Sequence, residues 1–167
     1  MQLDELYNYK NKLIEEILTD ETIVSLINDK IPVSDSKELV YTQVFPYEYI
    51  PETVEEGKTF ICIDVDILQT SSVKPFYLPA IYVWVFSHYS KLRLPEGGLR
   101  IDKLVSKIAE KVNGSKKYGL GETELYSVKR FAPLTGFNGK CMTFYTKDFS
   151  RVHNPNSPAI SNRKKGI

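Results

Sequence analysis

The chain has 167 residues, with 22 basic and 21 acidic side chains and a net charge of +1. This length predicts one domain that can bury a core without disulfides or metals, and the balanced charge excludes a strong general attraction to polyanions. The N-terminus, Met-Gln-Leu-Asp-Glu, is too polar for a secretory leader, and no run approaches the ~18 apolar residues of a membrane span. We therefore expect no membrane partner and assembly in a cytoplasm.

The first third of the chain predicts two helices and then a loop. Apolar residues recur at helical spacing from Leu3 to Leu18. Asp20 is placed to cap a second short helix that carries Ile23, Val24, Leu26 and Ile27. Pro32 closes this region, and residues 34–36 are expected to form a loop.

Three strands are expected next. The first runs from Val40 to Tyr47, and the second, Phe60 to Gln69, alternates cleanly between two faces. Residues 70–79 should then interrupt the sheet, because Pro75 and Pro79 cannot donate to a strand ladder. The central strand, 80–88, is apolar on both faces, which predicts a sheet covered on both sides.

The last third predicts a helix, a hairpin and an extended tail. Residues 99–112 have one apolar stripe and end at Asn113-Gly114. Strands at 122–131 and 140–149 are joined by a loop over 133–139. The fold class is therefore α+β, with a mixed, mainly antiparallel sheet flanked by an N-terminal helix and one later amphipathic helix. We expect a domain over residues 1–150 and an extended basic C-terminal arm over 151–167.

No residue set predicts catalysis, a cofactor or a metal centre. Asp64 and Asp66 share one face of a strand, a spacing that a metal-dependent phosphodiesterase could use. We identify no further carboxylate or histidine beside them, so a solvated or subunit-facing surface is the stronger interpretation. Cys62 and Cys141 are interpreted as buried thiols, and His88 and His153 lack neighbours at metal-ligand spacing. The chain is therefore predicted not to be an enzyme.

Three segments are interpreted as interaction surfaces. Phe76 and Tyr77 lie between prolines in an otherwise polar segment, which is typical of partner contact. Other aromatic residues at alternating strand positions should pack within the sheet, as expected for Tyr82, Phe86, Phe144 and Tyr145. The acidic region 48–66 and the basic tail could join two copies, and the residues expected to make that contact are Glu52, Glu55, Glu56, Arg163, Lys164 and Lys165. The three cations of the basic end, 163–165, supply little phosphate affinity, and we expect no sequence-specific nucleic acid partner.

The order of elements resembles the small head–tail joining proteins of tailed phages, above all the lambda-type tail terminator (neck) proteins. The resemblance covers roughly residues 1–150. It rests on a Leu-Ile-x-Asp sequence after the N-terminal helix, the strands containing Val44-Phe45-Pro46-Tyr47, Phe60 to Val65 and Ala80 to Ser87, the single helix over 99–112, and a closing antiparallel pair.

The resemblance implies a virion protein of the tail or neck, with no catalytic residues, that forms a ring of six copies. Such a ring ends the tail tube and joins it to the head connector, so its partners would be itself, the tube protein and the connector or neck proteins. A head-completion ring bound to the portal remains an alternative. Two unrelated alternatives are a metal-dependent phosphodiesterase using Asp64 and Asp66, and a peptide-binding module anchored by Phe76 and Tyr77.

Overall fold

The computed structural model describes residues 4–53, 57–70, 76–119, 121–146 and 148–149, and for residues 4, 69–70, 76–77 and 148–149 it describes the backbone only. The predicted arm, 151–167, lies outside the described residues. The helices are α1 (Asp4–Leu18), α2 (Glu21–Ile27), a 3₁₀ helix (Val33–Leu39), α3 (Tyr89–Leu92) and α4 (Arg100–Val112). The strands are β1 (Val44–Phe45), β2 (Thr59–Thr70), β3 (Phe76–His88), β4 (Glu124–Phe131), β5 (Phe137–Tyr145) and β6 (Asp148–Phe149).

The described strands form one mixed sheet in the order β1-β2-β3-β5-β4, with β6 paired to the outer part of β3. Only the β1–β2 pair is parallel, and every other pair is antiparallel. The predicted α+β class, with its mainly antiparallel sheet, is confirmed. The long strand β3 lies at the centre of the sheet, because it pairs with β2 on one side and with β5 on the other.

The main core lies between the helices and one face of the sheet. Helices α1, α2 and α4 contribute fully buried residues such as Ile17, Ile23 and Leu104, which pack in one cluster with Ile61 and Val83 of the sheet. We call this the helix face. Within the described residues, no helix is long and apolar enough to span a bilayer.

Among the described residues, the opposite face is covered at one end. Five side chains form a smaller buried cluster there, namely Phe45, Phe60, Cys62, Phe86 and Phe137. Tyr49 packs over this cluster and stacks on the Phe45 ring at a centroid separation of 4.0 Å. The expectation of a sheet covered on both sides is therefore confirmed at this end.

The helices follow the sequence pattern closely. The Asp20 carboxylate accepts a hydrogen bond from the Ile23 amide at 3.0 Å and so caps α2. Helix α4 ends at Asn113, and Gly114 follows with a φ of +77°. The predicted strand over 40–47 is reduced to Val44–Phe45, since Tyr41 takes a left-handed φ of +61° and residues 33–39 form a 3₁₀ helix rather than a loop.

The predicted break over 70–79 is wrong for Thr70 and for residues 76–79, and residues 71–75 lie outside the described residues. Strand β2 continues to Thr70 and β3 begins at Phe76, so Phe76 and Tyr77 are strand residues. The Pro79 carbonyl accepts from the Thr146 amide at 3.2 Å, so the Pro79 backbone faces the end of β5 and not β2. The last β3–β5 pair is Ala80–Tyr145, so the donor that proline lacks falls beyond that ladder.

Candidate functional site: an open aromatic face

Four aromatic side chains lie on the sheet face opposite the described helices α1, α2 and α4. Tyr82 and Trp84 of β3 stack with ring centroids 5.7 Å apart, and Tyr126 of β4 lies 4.5 Å from Tyr145 of β5. Tyr82, Trp84 and Tyr145 are half-buried, while Tyr126 is 66% exposed. We call this set the aromatic face. Contiguous exposed aromatic surface of this kind marks contact sites for other macromolecules.

Strand alternation explains why these side chains share a face. Tyr82 pairs with Asp64 and Thr143, and Trp84 pairs with Cys62 and Cys141. Directly paired residues point to the same side of a sheet. The helix-side residues Ile81, Val83 and Val85 alternate with them and are fully buried.

The aromatic face has charged groups around it. Burial raises the pKa of Tyr82, and the charge of Asp66 and the neighbouring Tyr145 and Cys141 raise it further. Burial also raises the pKa of the Cys141 thiol to about 11, with a contribution from Glu48 that Lys129 opposes. Because these groups influence one another, the carboxylates of Asp66 and Glu48 act on the same surface as the aromatic rings.

The two strand aspartates have different environments. Lys10 of α1 reaches over the sheet edge and donates to Asp64 at 2.7 Å and to the Pro46 carbonyl at 2.8 Å. Asp64 also accepts from the Val65 amide at 2.9 Å. Asp66 is exposed. Within the described part of the chain, no group of three or more His, Cys, Asp or Glu residues is placed to hold a metal ion.

The predicted thiol and histidine residues make local contacts. Cys62 is buried, and this burial raises the pKa of its thiol to about 12. His88 caps the short helix α3 by accepting from the Ser90 amide at 3.2 Å, and its ring packs on Phe137 with centroids 5.5 Å apart. Cys141 is half-buried beside the aromatic face. His153 lies outside the described residues.

The predicted contact residues are only partly described. Glu52 is exposed in a turn, and the side chains of Phe76 and Tyr77 are not described. Glu55, Glu56, Arg163, Lys164 and Lys165 lie outside the described residues. The sequence reasoning missed the aromatic face, since it assigned Tyr82 and Tyr145 to internal packing together with Phe86 and Phe144. Only Phe86 and Phe144 are fully buried.

A depression of about 290 Å³ lies at the end of α2 beside the start of β2. Its basic lining residues are Lys30, Lys58, Lys91 and Arg100. Arg100 donates to the Lys91 carbonyl at 2.8 Å and to the Leu26 carbonyl at 2.6 Å. The Arg100 guanidinium therefore links Leu26 of α2 to Lys91 of α3.

One family model, YomW, matches residues 11–146, from within α1 to the end of β5. No curated protein matches the chain significantly. The matched span contains the helices, β1 to β5 and the aromatic face, and it covers well over half of the 167 residues. The chain therefore belongs to the YomW family, a phage-type (Bacillus SPbeta-like) protein family.

Proposed function

We propose that the chain is a structural, non-enzymatic virion protein of the phage head–tail junction. Copies form a ring of six that ends the tail tube and joins it to the head connector. The proposed partners are other copies, the tube protein and the connector or neck proteins. The protein assembles in the host cytoplasm and remains in the neck of the finished particle.

The open aromatic face is the observation that carries this proposal. An antiparallel sheet with helices on one side leaves its other side available, and here that side presents paired aromatic rings beside carboxylates. Tyrosine and tryptophan supply large contact area at low cost in side-chain entropy. Membership in a phage-type family supports a particle component as the setting for that contact.

Repetition would turn weak contacts into a stable joint. A standard protein interface buries ~800 Å² per partner, and the aromatic face of one copy is built from four side chains. A ring presents several copies of that face to a cylindrical partner at once. The resulting avidity can exceed the affinity of one subunit by orders of magnitude.

The test is a phage that carries Trp84→Ser and Tyr126→Ser, grown beside a control with Tyr7→Ser. Tyr7 is a matched exposed tyrosine on α1, away from the aromatic face. We expect the double variant to accumulate unjoined heads and tails of abnormal length, while the control forms normal particles. Electron microscopy of lysates measures both outcomes.

Two results would contradict the proposed role in ending the tail tube. Unjoined tails of normal length beside unsealed heads would indicate the head-completion alternative. Purified particles that lack the protein, as measured by mass spectrometry, would contradict any structural role in the virion.

A further inference from the structure

We propose that neighbouring copies join edge to edge, with β4 of one copy pairing antiparallel to β2 of the next. This inference rests on the proposed ring and specifies the surface that would build it. Its occupant is a second copy of this chain. The sheet would then continue from one subunit into the next.

The described sheet has a free outer edge on each side. On β2, β1 pairs with Ile61 and Cys62, Lys10 crosses the edge at Asp64, and the Asp64 carboxylate accepts from the Val65 amide. Within the described residues, the edge is open from Asp66 to Ile67. On β4, the outer edge is occupied at its beginning, where the Asn113 side-chain oxygen accepts from the Leu125 amide at 2.8 Å. Within the described residues, no strand pairs with the outer side of Val128 to Phe131.

The direction of the backbone N–H and C=O groups determines which residues of β2 and β4 could form hydrogen-bonded pairs between two copies. The Ile61 amide points outward to the Gln43 carbonyl at 2.8 Å. Alternation along the strand sends Val65 and Ile67 outward as well. On β4, Val128 and Arg130 lie on the helix face with Leu125, whose amide points outward.

One register satisfies these directions without overlapping β1 or Asn113. Val128 then lies opposite Ile67 as a hydrogen-bonded pair. Arg130 lies opposite Val65, whose amide would exchange its bond to the Asp64 carboxylate for one to the Arg130 carbonyl. Lys129 falls directly opposite Asp66, as a non-hydrogen-bonded pair whose Cα atoms would lie ~4.5 Å apart. Both of these side chains point to the side of the aromatic face, so every copy would present its aromatic face to the same side of the ring.

The charges favour pairing of a β4 edge with a β2 edge over pairing of two β2 edges or two β4 edges. Asp66, Lys129 and Arg130 are exposed, and among the described residues none of them forms an ion pair. Two β2 edges would oppose aspartates, and two β4 edges would oppose cations, so each self-pairing is repelled. A β4–β2 contact joins opposite charges and is heterologous, which is the type of interface that generates rings.

Exposed apolar side chains flank the charged pair. Val128 is 42% exposed and Leu68 is 45% exposed. Edge pairing in this register would cover part of both. Burial of this apolar area adds to the backbone hydrogen bonds that β-strand addition supplies.

Charge exchange in the full chain tests the pairing. Asp66→Lys and Lys129→Glu should each weaken self-association at least tenfold, and the double variant should recover most of the loss. Glu38→Lys, an exposed change outside the paired segments 64–67 and 128–131, should leave self-association unchanged. Native mass spectrometry across a concentration series measures each state.

Cross-linking gives an independent measure of the register. In a Cys141→Ser background, Asp66→Cys combined with Lys129→Cys should form covalent multimers on oxidation, and either cysteine alone should not. The Cys141 substitution is needed because Lys129 pairs with Cys141 within one copy. Non-reducing electrophoresis reads the result.

The outcomes separate this proposal from the proposed function. A stable ring that is insensitive to both charge reversals and gives no cross-linked multimers would overturn edge pairing and leave the ring intact. A wild-type chain that stays monomeric, both alone and on tail tubes, would overturn both.

Discussion

Gly139 shows how a single residue permits the sheet to form. A Cβ atom at this position would lie 2.4 Å from the Val85 carbonyl oxygen and 2.5 Å from the Phe86 Cβ. Both contacts are far inside van der Waals distance, and a backbone atom cannot move aside as a flexible side chain can. Glycine is therefore required for β5 to approach β3 beside the Phe86 ring.

Gly139→Ala should destabilise the fold by about 1–3 kcal/mol, the usual cost of overpacking. Gly97→Ala is the matched control, since nothing lies within 4 Å of its added Cβ and only its φ of +99° opposes the change. Urea unfolding should show the larger loss at Gly139. Equal losses at the two sites would mean that crowding at Gly139 costs no more than the backbone strain of an alanine at position 97.

Buried weak acids make the fold sensitive to alkaline conditions. Burial raises the pKa of Cys62 from 9.0 to about 12. Burial also raises the pKa of Tyr118, and its hydrogen bond to Glu16 at 2.7 Å raises it further. The unfolded chain ionises these groups at lower pH than the folded chain, so their contribution to stability is complete below pH ~9 and is lost as the pH rises.

We expect the free energy of unfolding to decline steadily between pH 9 and pH 11. Cys62→Ala and Tyr118→Phe should each reduce the slope of that decline, whatever they do to stability at pH 7. Denaturant titrations at several pH values measure the slope. A slope that neither variant changes would place the alkaline sensitivity in other groups.

At the scale of elements, Asp20 joins two helices. One carboxylate oxygen accepts from the Ile23 amide at the start of α2, and the other pairs with Lys111 near the end of α4 at 2.9 Å. Burial alone would raise the pKa of Asp20, but the hydrogen bonds from Lys111 and Ile23 hold it below its usual value. This contribution to stability is present at neutral pH and is lost as the pH falls through the lowered pKa.

Asp20→Ala should cost about 1 kcal/mol, which is typical for loss of a helix cap. Asp20→Asn keeps an oxygen for the cap and removes the charge, so it should cost less. Chemical denaturation at pH 7 measures the difference. Identical losses in the two variants would assign the whole effect to the Lys111 pair.

The helices were predictable, and parts of the sheet were not. Apolar spacing and a capping aspartate determine α1, α2 and α4 locally, and the structure confirms all three. The full length of β3 was missed because the Pro79 backbone faces the end of β5, beyond the last β3–β5 pair, and the sequence of one strand does not show where its partner ends. The two-residue strand β1 was overestimated because nothing in its sequence predicts the left-handed φ of Tyr41.

The sequence predicted that Tyr82 and Tyr145 lie on strands, but it did not predict that they are only half-buried. Alternation correctly placed Tyr82 and Tyr145 on strands, but burial depends on what covers each face. Phe86 is covered by the cluster that includes Phe60 and Phe137, whereas Tyr82 lies outside that cluster and on the face opposite the described helices. Tertiary packing determines which of the two is buried, and the alternation of residues along a strand does not predict it.

At the scale of the whole molecule, the sheet divides the chain into a packed side and a contact side. The buried clusters of the described residues are built from residues 9–144. Residues 151–167 contain few apolar side chains, so we expect their deletion to leave the midpoint of urea unfolding unchanged and to weaken contacts between copies. A large drop in that midpoint would show that the arm packs on its own domain.

The only tryptophan of the chain, Trp84, lies on the aromatic face. Its indole thus provides an intrinsic optical probe at the surface where we place partner contact. Its emission should move to shorter wavelength when a partner excludes water from that surface. Stopped-flow fluorescence could then time each docking event in the unlabelled protein.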